Sequence, residues 1–213
     1  MNKSILLVGD ILIIAFFWLF SHFGLLPIYF YPLVLLLICW LWLRLQKKDF
    51  STLGLKLSKA SVRSLGIAVV LAFVYFLLYY FIIGPFLTNF LRISKSNVSD
   101  FYFVRSSFSR YVTILVIAWV LAVPFEEIIF RGFIFYKLLQ WTGKKFWIAG
   151  FISSLLFGAY HLQQGIGGVV HAFIFGMVAI LLLKYFKGNL WPLIFFHAAY
   201  DTIAITAIRF GYF

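Results

Sequence analysis

Long apolar runs separated by short polar segments make up almost the whole chain. A membrane-crossing helix needs about 20 largely apolar residues, and seven runs approach that length. The pattern therefore predicts an all-α fold, a polytopic transmembrane helix bundle of about seven spans. The predicted spans are Ile5–His22, Ile28–Leu45, Leu65–Leu87, Tyr111–Leu139, Phe146–Leu162, Gly168–Phe186 and Trp191–Ile208.

The composition agrees with a membrane protein. The 213 residues are 64% hydrophobic and 11% charged, whereas soluble domains are about 45–50% apolar and about 25% charged. This length predicts one integral-membrane domain, residues 1–213. Lys3 precedes an apolar run without an evident cleavage site, so we interpret this run as a first transmembrane helix rather than a removed signal peptide.

The formal net charge of +12 comes from cations that lie between the apolar spans. This placement favours a loop charge bias over nucleic-acid binding. With a cytoplasmic N-terminus, twelve Lys and Arg residues, Lys59 and Lys137 among them, fall inside and five fall outside. We therefore predict a cytoplasmic N-terminus. The segment Thr88–Arg110 carries four of the outer cations, and a membrane-surface helix or an eighth span hidden there is the alternative.

Within the first three predicted spans, the only acidic or histidine residues are Asp10 and His22. Asp10 lies near the start of its span, and we expect it to reach the lipid headgroups. The turn between the first two spans is marked by Pro27 and Pro32. The two halves of the chain show no duplication of the kind found in many transporters.

Two adjacent glutamates, Glu126 and Glu127, lie within the apolar fourth span. A charge near the centre of a bilayer costs roughly 2.5–3.5 kcal/mol, so both need partners. Glu127 and Arg131 share a helix face, which predicts an ion pair. Glu126 is rotated by about 100° from Glu127 and is left for another partner. Pro124 just upstream loosens this helix.

Two further pairs of residues at i, i+4 place histidines in the apolar spans: Phe157 with His161, and His197 with Asp201. Alone, each pair is typical of a hydrogen bond between neighbouring helices, and we interpret the lone His171 as structural. Together with the glutamates, they gather ionisable groups on three spans within residues 111–208. No helix offers two histidines at i, i+4, so a bound metal is the less favoured interpretation.

The ordered motifs Glu-Glu-x-x-x-Arg, Phe-x-x-x-His and His-x-x-x-Asp resemble those of the CAAX prenyl endopeptidase and bacteriocin-processing family (CPBP, or Abi) of intramembrane proteases. The resemblance covers roughly the C-terminal half of the chain, from Glu126 to Asp201. The third motif ends in Asp201, where the eukaryotic prenyl proteases carry Asn. The resemblance implies an all-helical membrane enzyme.

The resemblance also implies roles for the motif residues. Glu126 and His161 would hold and activate a water, with Glu126 as the general base. His197 and Asp201 would stabilise the oxyanion; as a carboxylate, Asp201 would instead orient His197, which is the role we prefer. The supporting ion pair would be formed by Glu127 and Arg131.

The function so implied is a glutamate-type intramembrane endopeptidase that hydrolyses a peptide bond with an activated water. It requires no cofactor, although a divalent metal such as Zn stays an alternative. The expected partners are a membrane-associated peptide or protein substrate and the lipid bilayer. A chain this small resembles the bacterial branch, which is linked to bacteriocin immunity and peptide processing, so we expect a bacterial cell membrane.

Two other function classes stay open from the sequence. One is a non-enzymatic membrane immunity or interaction protein, in which the motifs are scaffold. The other is a proton-coupled transporter, since buried Glu and His also build proton relays. The clustering of the polar groups in one half of the chain disfavours the transporter.

Overall fold

A computed structural model describes residues 3–20, 30–57 and 60–212. These residues are predominantly helical and include no strand, which confirms the all-α prediction. His22, Pro27, Ile28 and Lys59 lie outside the described residues. The seven apolar helices are α1 (Lys3–Phe20), α2 (Tyr31–Leu45), α3 (Val62–Phe90), α4 (Phe108–Trp141), α5 (Phe146–Tyr160), α6 (Gly165–Tyr185) and α7 (Leu190–Arg209).

Four of these helices, α3, α4, α6 and α7, are long and apolar enough to cross a membrane. The shorter helices α1, α2 and α5 are also apolar. Seven apolar helices in the described part of the chain therefore agree with the prediction of about seven spans in an integral membrane protein.

Polar caps fix where several helices begin, because the first N–H groups of a helix need acceptors outside it. The Ser61 hydroxyl accepts from the Ser64 N–H at 3.1 Å, at the start of α3. Asn189 accepts from the Trp191 N–H at 3.2 Å, at the start of α7. Caps of this kind let α3 begin upstream of the predicted Leu65, where the strongly apolar run starts.

Helix α4 carries the adjacent glutamates and has an unusual backbone. It spans 34 residues, about 50 Å of helix, compared with a hydrocarbon core of about 30 Å. Two π-helical stretches, Ala118–Ala122 and Glu127–Ile134, lie on either side of Pro124. Pro124 has no N–H to donate within the helix, and π-helical turns are frequent at functional sites.

Glycines bring α5 and α6 into close contact. A Cβ atom on Gly158 would lie 2.8 Å from the Val169 carbonyl oxygen, and one on Gly150 would lie 2.6 Å from the Ile180 side chain. Small residues at such positions allow helix backbones to approach in a membrane. This packing holds the end of α5, where His161 lies, against α6.

The connection between α3 and α4 contains no eighth span. Its residues 91–107 include one short 3₁₀ helix, Ser99–Arg105. Arg105 donates to the Ile208 carbonyl at 3.0 Å, and Arg209 donates to the Val104 carbonyl at 2.6 Å. These bonds attach the connection to the end of α7, so the alternative of an eighth span in this segment is wrong.

Two expectations about charged residues are corrected by the structure. Lys137 is not a loop cation: it is buried near the end of α4, and its Nζ lies 2.8 Å from Asp10 Oδ1. Asp10 is buried as well, rather than reaching the headgroups, and accepts a hydrogen bond from Trp42 at 2.7 Å. The opposite charges of Lys137 and Asp10 compensate each other. Either charge alone would be costly to bury in an apolar bundle. Without Lys137, the prediction of a cytoplasmic N-terminus rests on eleven predicted inside cations against five predicted outside ones.

Candidate active site

A fully buried ion pair lies on the inner face of α4. Arg131 Nη1 is 3.1 Å from Glu127 Oε1, and the two side chains are 1% and 0% exposed. The Arg131 guanidinium lies over the Phe157 ring at 3.9 Å, with the Phe175 ring at 5.9 Å. A carboxylate and aromatic faces thus compensate this almost fully buried arginine.

The imidazole of His197 on α7 joins this ion pair to two further carboxylates. Its Nδ1 lies 2.7 Å from Glu127 Oε1, and donation to this carboxylate fixes the orientation of the ring. The other nitrogen, Nε2, lies 3.7 Å from Glu126 Oε2 and 3.7 Å from Asp201 Oδ1. The sequence favoured Asp201 as the residue that orients His197, whereas in the structure Glu127 makes that hydrogen bond.

The exposure of these side chains rises across the cluster. Glu127 is 0% exposed, His197 7%, Glu126 16% and Asp201 30%. Separations of 3.7 Å exceed hydrogen-bonding distance, so Nε2 and the two carboxylates can share a small molecule such as water. The cluster is therefore closed at Glu127 and accessible at Asp201.

His161, the remaining histidine of the motifs, is the C-cap residue of α5. Its Nδ1 donates to the Phe157 carbonyl oxygen at 2.9 Å, because a carbonyl can only accept. Its ring packs 4.7 Å from the Phe157 ring, which in turn packs 6.1 Å from the His197 ring. Phe157 therefore contacts both histidines as well as Arg131.

Two tyrosine hydroxyls that the sequence analysis did not single out adjoin these motifs. The Tyr160 hydroxyl donates to the Tyr31 hydroxyl at 3.1 Å. Tyr160 directly precedes His161, and the Tyr31 ring packs 5.7 Å from Phe125, which directly precedes Glu126. The chain has 12 tyrosines, and no spacing in the sequence distinguishes these two.

His171, interpreted from the sequence as structural, lies on α6. Its Nε2 is 2.8 Å from the Tyr200 hydroxyl, and its ring packs 4.0 Å from the Tyr79 ring. These contacts link α6 to α7 and α3 next to Asp201.

A bound metal ion would require several of these side chains as ligands. A zinc site uses at least three protein ligands at about 2 Å from the metal. Across the described residues, no group of three or more His, Cys, Asp or Glu side chains has such an arrangement.

Comparison with known families accounts for the three motifs together. Residues 108–203 match the family model described as type II CAAX prenyl endopeptidase Rce1-like. This stretch of the chain is similar to that family. The match runs from the start of α4 into α7 and includes every motif residue from Glu126 to Asp201, which confirms the family predicted from the sequence. No curated protein and no solved structure matches the chain.

The similarity of this stretch to the Rce1-like family, in a bundle of apolar helices, indicates an integral-membrane CAAX-type protease. This agrees with the predicted protease in general, and the glutamate-type mechanism stays a prediction.

Proposed function

We propose that the chain is an intramembrane endopeptidase that hydrolyses a peptide bond with a water activated by Glu126. The observation that carries this proposal is the convergence of Glu126 Oε2 and Asp201 Oδ1 on His197 Nε2, at 3.7 Å each, in an otherwise apolar bundle. A desolvated site with fixed polar groups favours charge separation in a hydrolytic transition state.

In the proposed reaction, the Glu126 carboxylate removes a proton from water as the water oxygen attacks the carbonyl carbon of the substrate. His161 helps to hold this water through Nε2, because its Nδ1 proton is engaged by the Phe157 carbonyl. Glu126 then returns the proton to the nitrogen as the C–N bond breaks. The products are a carboxylic acid and an amine.

His197 is proposed to stabilise the oxyanion of the tetrahedral intermediate. When both ring nitrogens carry a proton, Nδ1–H donates to Glu127 and Nε2–H is available to the developing negative charge. Arg131 holds Glu127 in place, so the ion pair positions His197 rather than touching the substrate. Asp201, the most exposed member, lies where substrate would enter.

The test uses the purified full chain in proteoliposomes with a fluorogenic, prenylated CAAX-type peptide. Glu126→Gln keeps the shape of the side chain and removes the base. We expect peptide cleavage to fall by about 10²–10⁴-fold with an unchanged thermal midpoint. Asp10→Asn serves as the control, because it removes a different buried carboxylate, remote from the motifs in sequence. Wild-type cleavage by Glu126→Gln would overturn the proposal.

For the biological setting, we propose peptide processing in a bacterial cell membrane, with bacteriocin immunity as one form of it. The resemblance of this chain to the bacterial branch supports this. In a survival assay, Glu126→Gln should abolish protection while the protein remains folded in the membrane. Full protection by this variant would favour a non-enzymatic binding role instead.

A further inference from the structure

A cavity of about 190 Å³ lies at the end of the bundle where α2 ends and α7 begins, and Arg131 lies between it and the cluster of ionisable residues. Its walls come from three parts of the chain: the connection that follows α2, the last turns of α4, and the turn between α6 and α7. Its polar lining residues are Thr52, Lys56, Arg131, Tyr136, Lys187 and Asn189.

The charged residues that line this cavity are all positive. Lys56, Lys187 and Arg131 line it, and no Asp or Glu is among the lining residues. Arg131 is already paired with Glu127, which leaves the two exposed lysines without a carboxylate in the lining. The cavity is therefore suited to an anion.

Two lining residues also contain buried donors without a partner. In the described part of the chain, Asn189 Nδ2 and Arg131 Nη2 have no hydrogen-bond acceptor, and the two residues are 3% and 1% exposed. Buried donors are normally satisfied by protein, ordered water or an ion. Asn189 also caps α7, whose N-terminus carries the positive end of a helix dipole.

The surroundings of the cavity indicate where such an anion comes from. Lys48 Nζ lies 5.2 Å from the ring centroid of Tyr136, and Lys184 Nζ lies 4.6 Å from that of Trp147. Cations mixed with Trp and Tyr are typical of a membrane interface, and basic pockets between transmembrane helices bind lipid headgroups. Among the described residues, the cations at this end include Arg44, Lys47, Lys48, Lys56, Arg63, Lys144, Lys145, Lys184 and Lys187.

The carboxylate of Asp49 also lies near this end and does not neutralise the cavity. Asp49 accepts from the Ser51 N–H at 2.9 Å and from the Thr52 N–H at 3.3 Å. It thereby caps the short 3₁₀ helix Phe50–Leu53 and is not part of the cavity lining.

We propose that this cavity binds the phosphate of an anionic phospholipid headgroup, held by Lys56 and Lys187. The bound headgroup would join the connection after α2 to the α6–α7 turn. Both segments contact α4 next to Arg131, since a Cβ on Gly132 would lie 3.2 Å from Leu190 and 3.3 Å from Leu53. Binding would thus stabilise the region beside the ion pair without contact with the reacting groups.

The experiment measures the thermal midpoint of the full chain in neutral detergent with three added ligands. These are short-chain phosphatidylglycerol, the matching phosphatidylcholine, and inorganic phosphate. We expect phosphatidylglycerol near saturation to raise the midpoint by about 4 °C or more, and the other two to have little effect. An equal shift with phosphatidylcholine would overturn the anion site, and an equal shift with phosphate would overturn the lipid as its source.

Matched double variants separate this cavity from general surface charge. Lys56→Gln with Lys187→Gln should remove the shift. Lys144→Gln with Lys145→Gln should keep it, because these lysines lie at the same end of the bundle but not in the cavity lining. The pairs are well matched: Lys187 and Lys144 both have left-handed backbones, with φ of 52° and 67°. Equal loss in both variants would indicate diffuse charge and contradict the proposal.

A second measurement covers the case in which the cavity variant does not fold. Native mass spectrometry of the wild-type chain, exchanged into equal amounts of the two lipids, should retain one phosphatidylglycerol per chain. Retention of both lipids in equal amounts would contradict the proposal. Neither measurement depends on proteolytic activity.

Discussion

Two buried ion pairs on α4 have contrasting surroundings. In the first, Lys137 Nζ binds both Asp10 and Gln46, at 2.8 and 2.9 Å, and Asp10 also accepts from Trp42. No fully buried atom of this pair lacks a hydrogen bond. The pair joins α1 and α2 to α4, and its hydrogen bonds are made within these three helices.

The second pair, Glu127 with Arg131, is connected to further ionisable groups. Glu127 Oε1 accepts from both Arg131 and His197. Within the described residues, Glu127 Oε2 and Arg131 Nη2 remain without hydrogen-bond partners. From here the cluster continues through His197 to Glu126 and Asp201, which are increasingly exposed. A saturated pair tethers helices, whereas an incompletely satisfied one that leads to an opening is suited to chemistry.

The largest expected effect comes from breaking each pair in the same way, with Arg131→Met and Lys137→Met. Each removes the cationic side chain that pairs with a buried carboxylate, so each should lower the free energy of unfolding by about 3–5 kcal/mol. Unfolding in mixed SDS and detergent micelles measures this. Only Arg131→Met should also reduce cleavage per folded molecule. If Lys137→Met reduced specific cleavage equally, the two pairs would not differ in role.

Glu127→Gln tests whether Glu127 positions the His197 ring. The amide no longer holds the His197 ring as a charged acceptor, and loss of such a supporting contact typically costs about 10–100-fold. We expect kcat to fall by this factor with a small change in KM, in the proteoliposome assay. Asp10→Asn, the matched change in the other pair, should leave kcat near the wild-type value. A Glu127→Gln enzyme with wild-type kcat would show that Glu127 does not position His197.

Asp201→Asn should have the smallest effect. Asp201 lies 3.7 Å from His197 Nε2 and makes no direct hydrogen bond to it, so an amide of the same size should be tolerated. We expect cleavage within about tenfold of the wild type, since one hydrogen bond is worth about 0.5–1.5 kcal/mol. Loss comparable to that of Glu126→Gln would assign Asp201 a role in the reaction itself.

The helices were predictable from the sequence because each span is an apolar run, and the motifs were predictable because charged residues are rare within such runs. The contact of Glu127 with His197 was not, because it joins residues 70 positions apart. Lys137 was misplaced for a similar reason: its position near a helix end suggests a loop, and its partner Asp10 lies on the first helix.

The contacts of Glu127 show which features of the site an i, i+4 spacing can predict. The i, i+4 spacing to Arg131 predicted an ion pair, and the two side chains do pair, at 3.1 Å. The same spacing between His197 and Asp201 suggested that Asp201 orients the ring, yet these atoms are 3.7 Å apart. Spacing gives a shared helix face, while the choice among three neighbouring carboxylates depends on how α4 and α7 pack.

The central claim is that Glu126 and His197 act as one unit on a single water and the carbonyl that it attacks. A double-mutant cycle with Glu126→Gln and His197→Ala, read as kcat in the proteoliposome assay, tests this most directly. Residues that act as a unit are strongly non-additive, so the double variant should be no slower than the slower single variant. Losses that multiply in the double variant would contradict the claim.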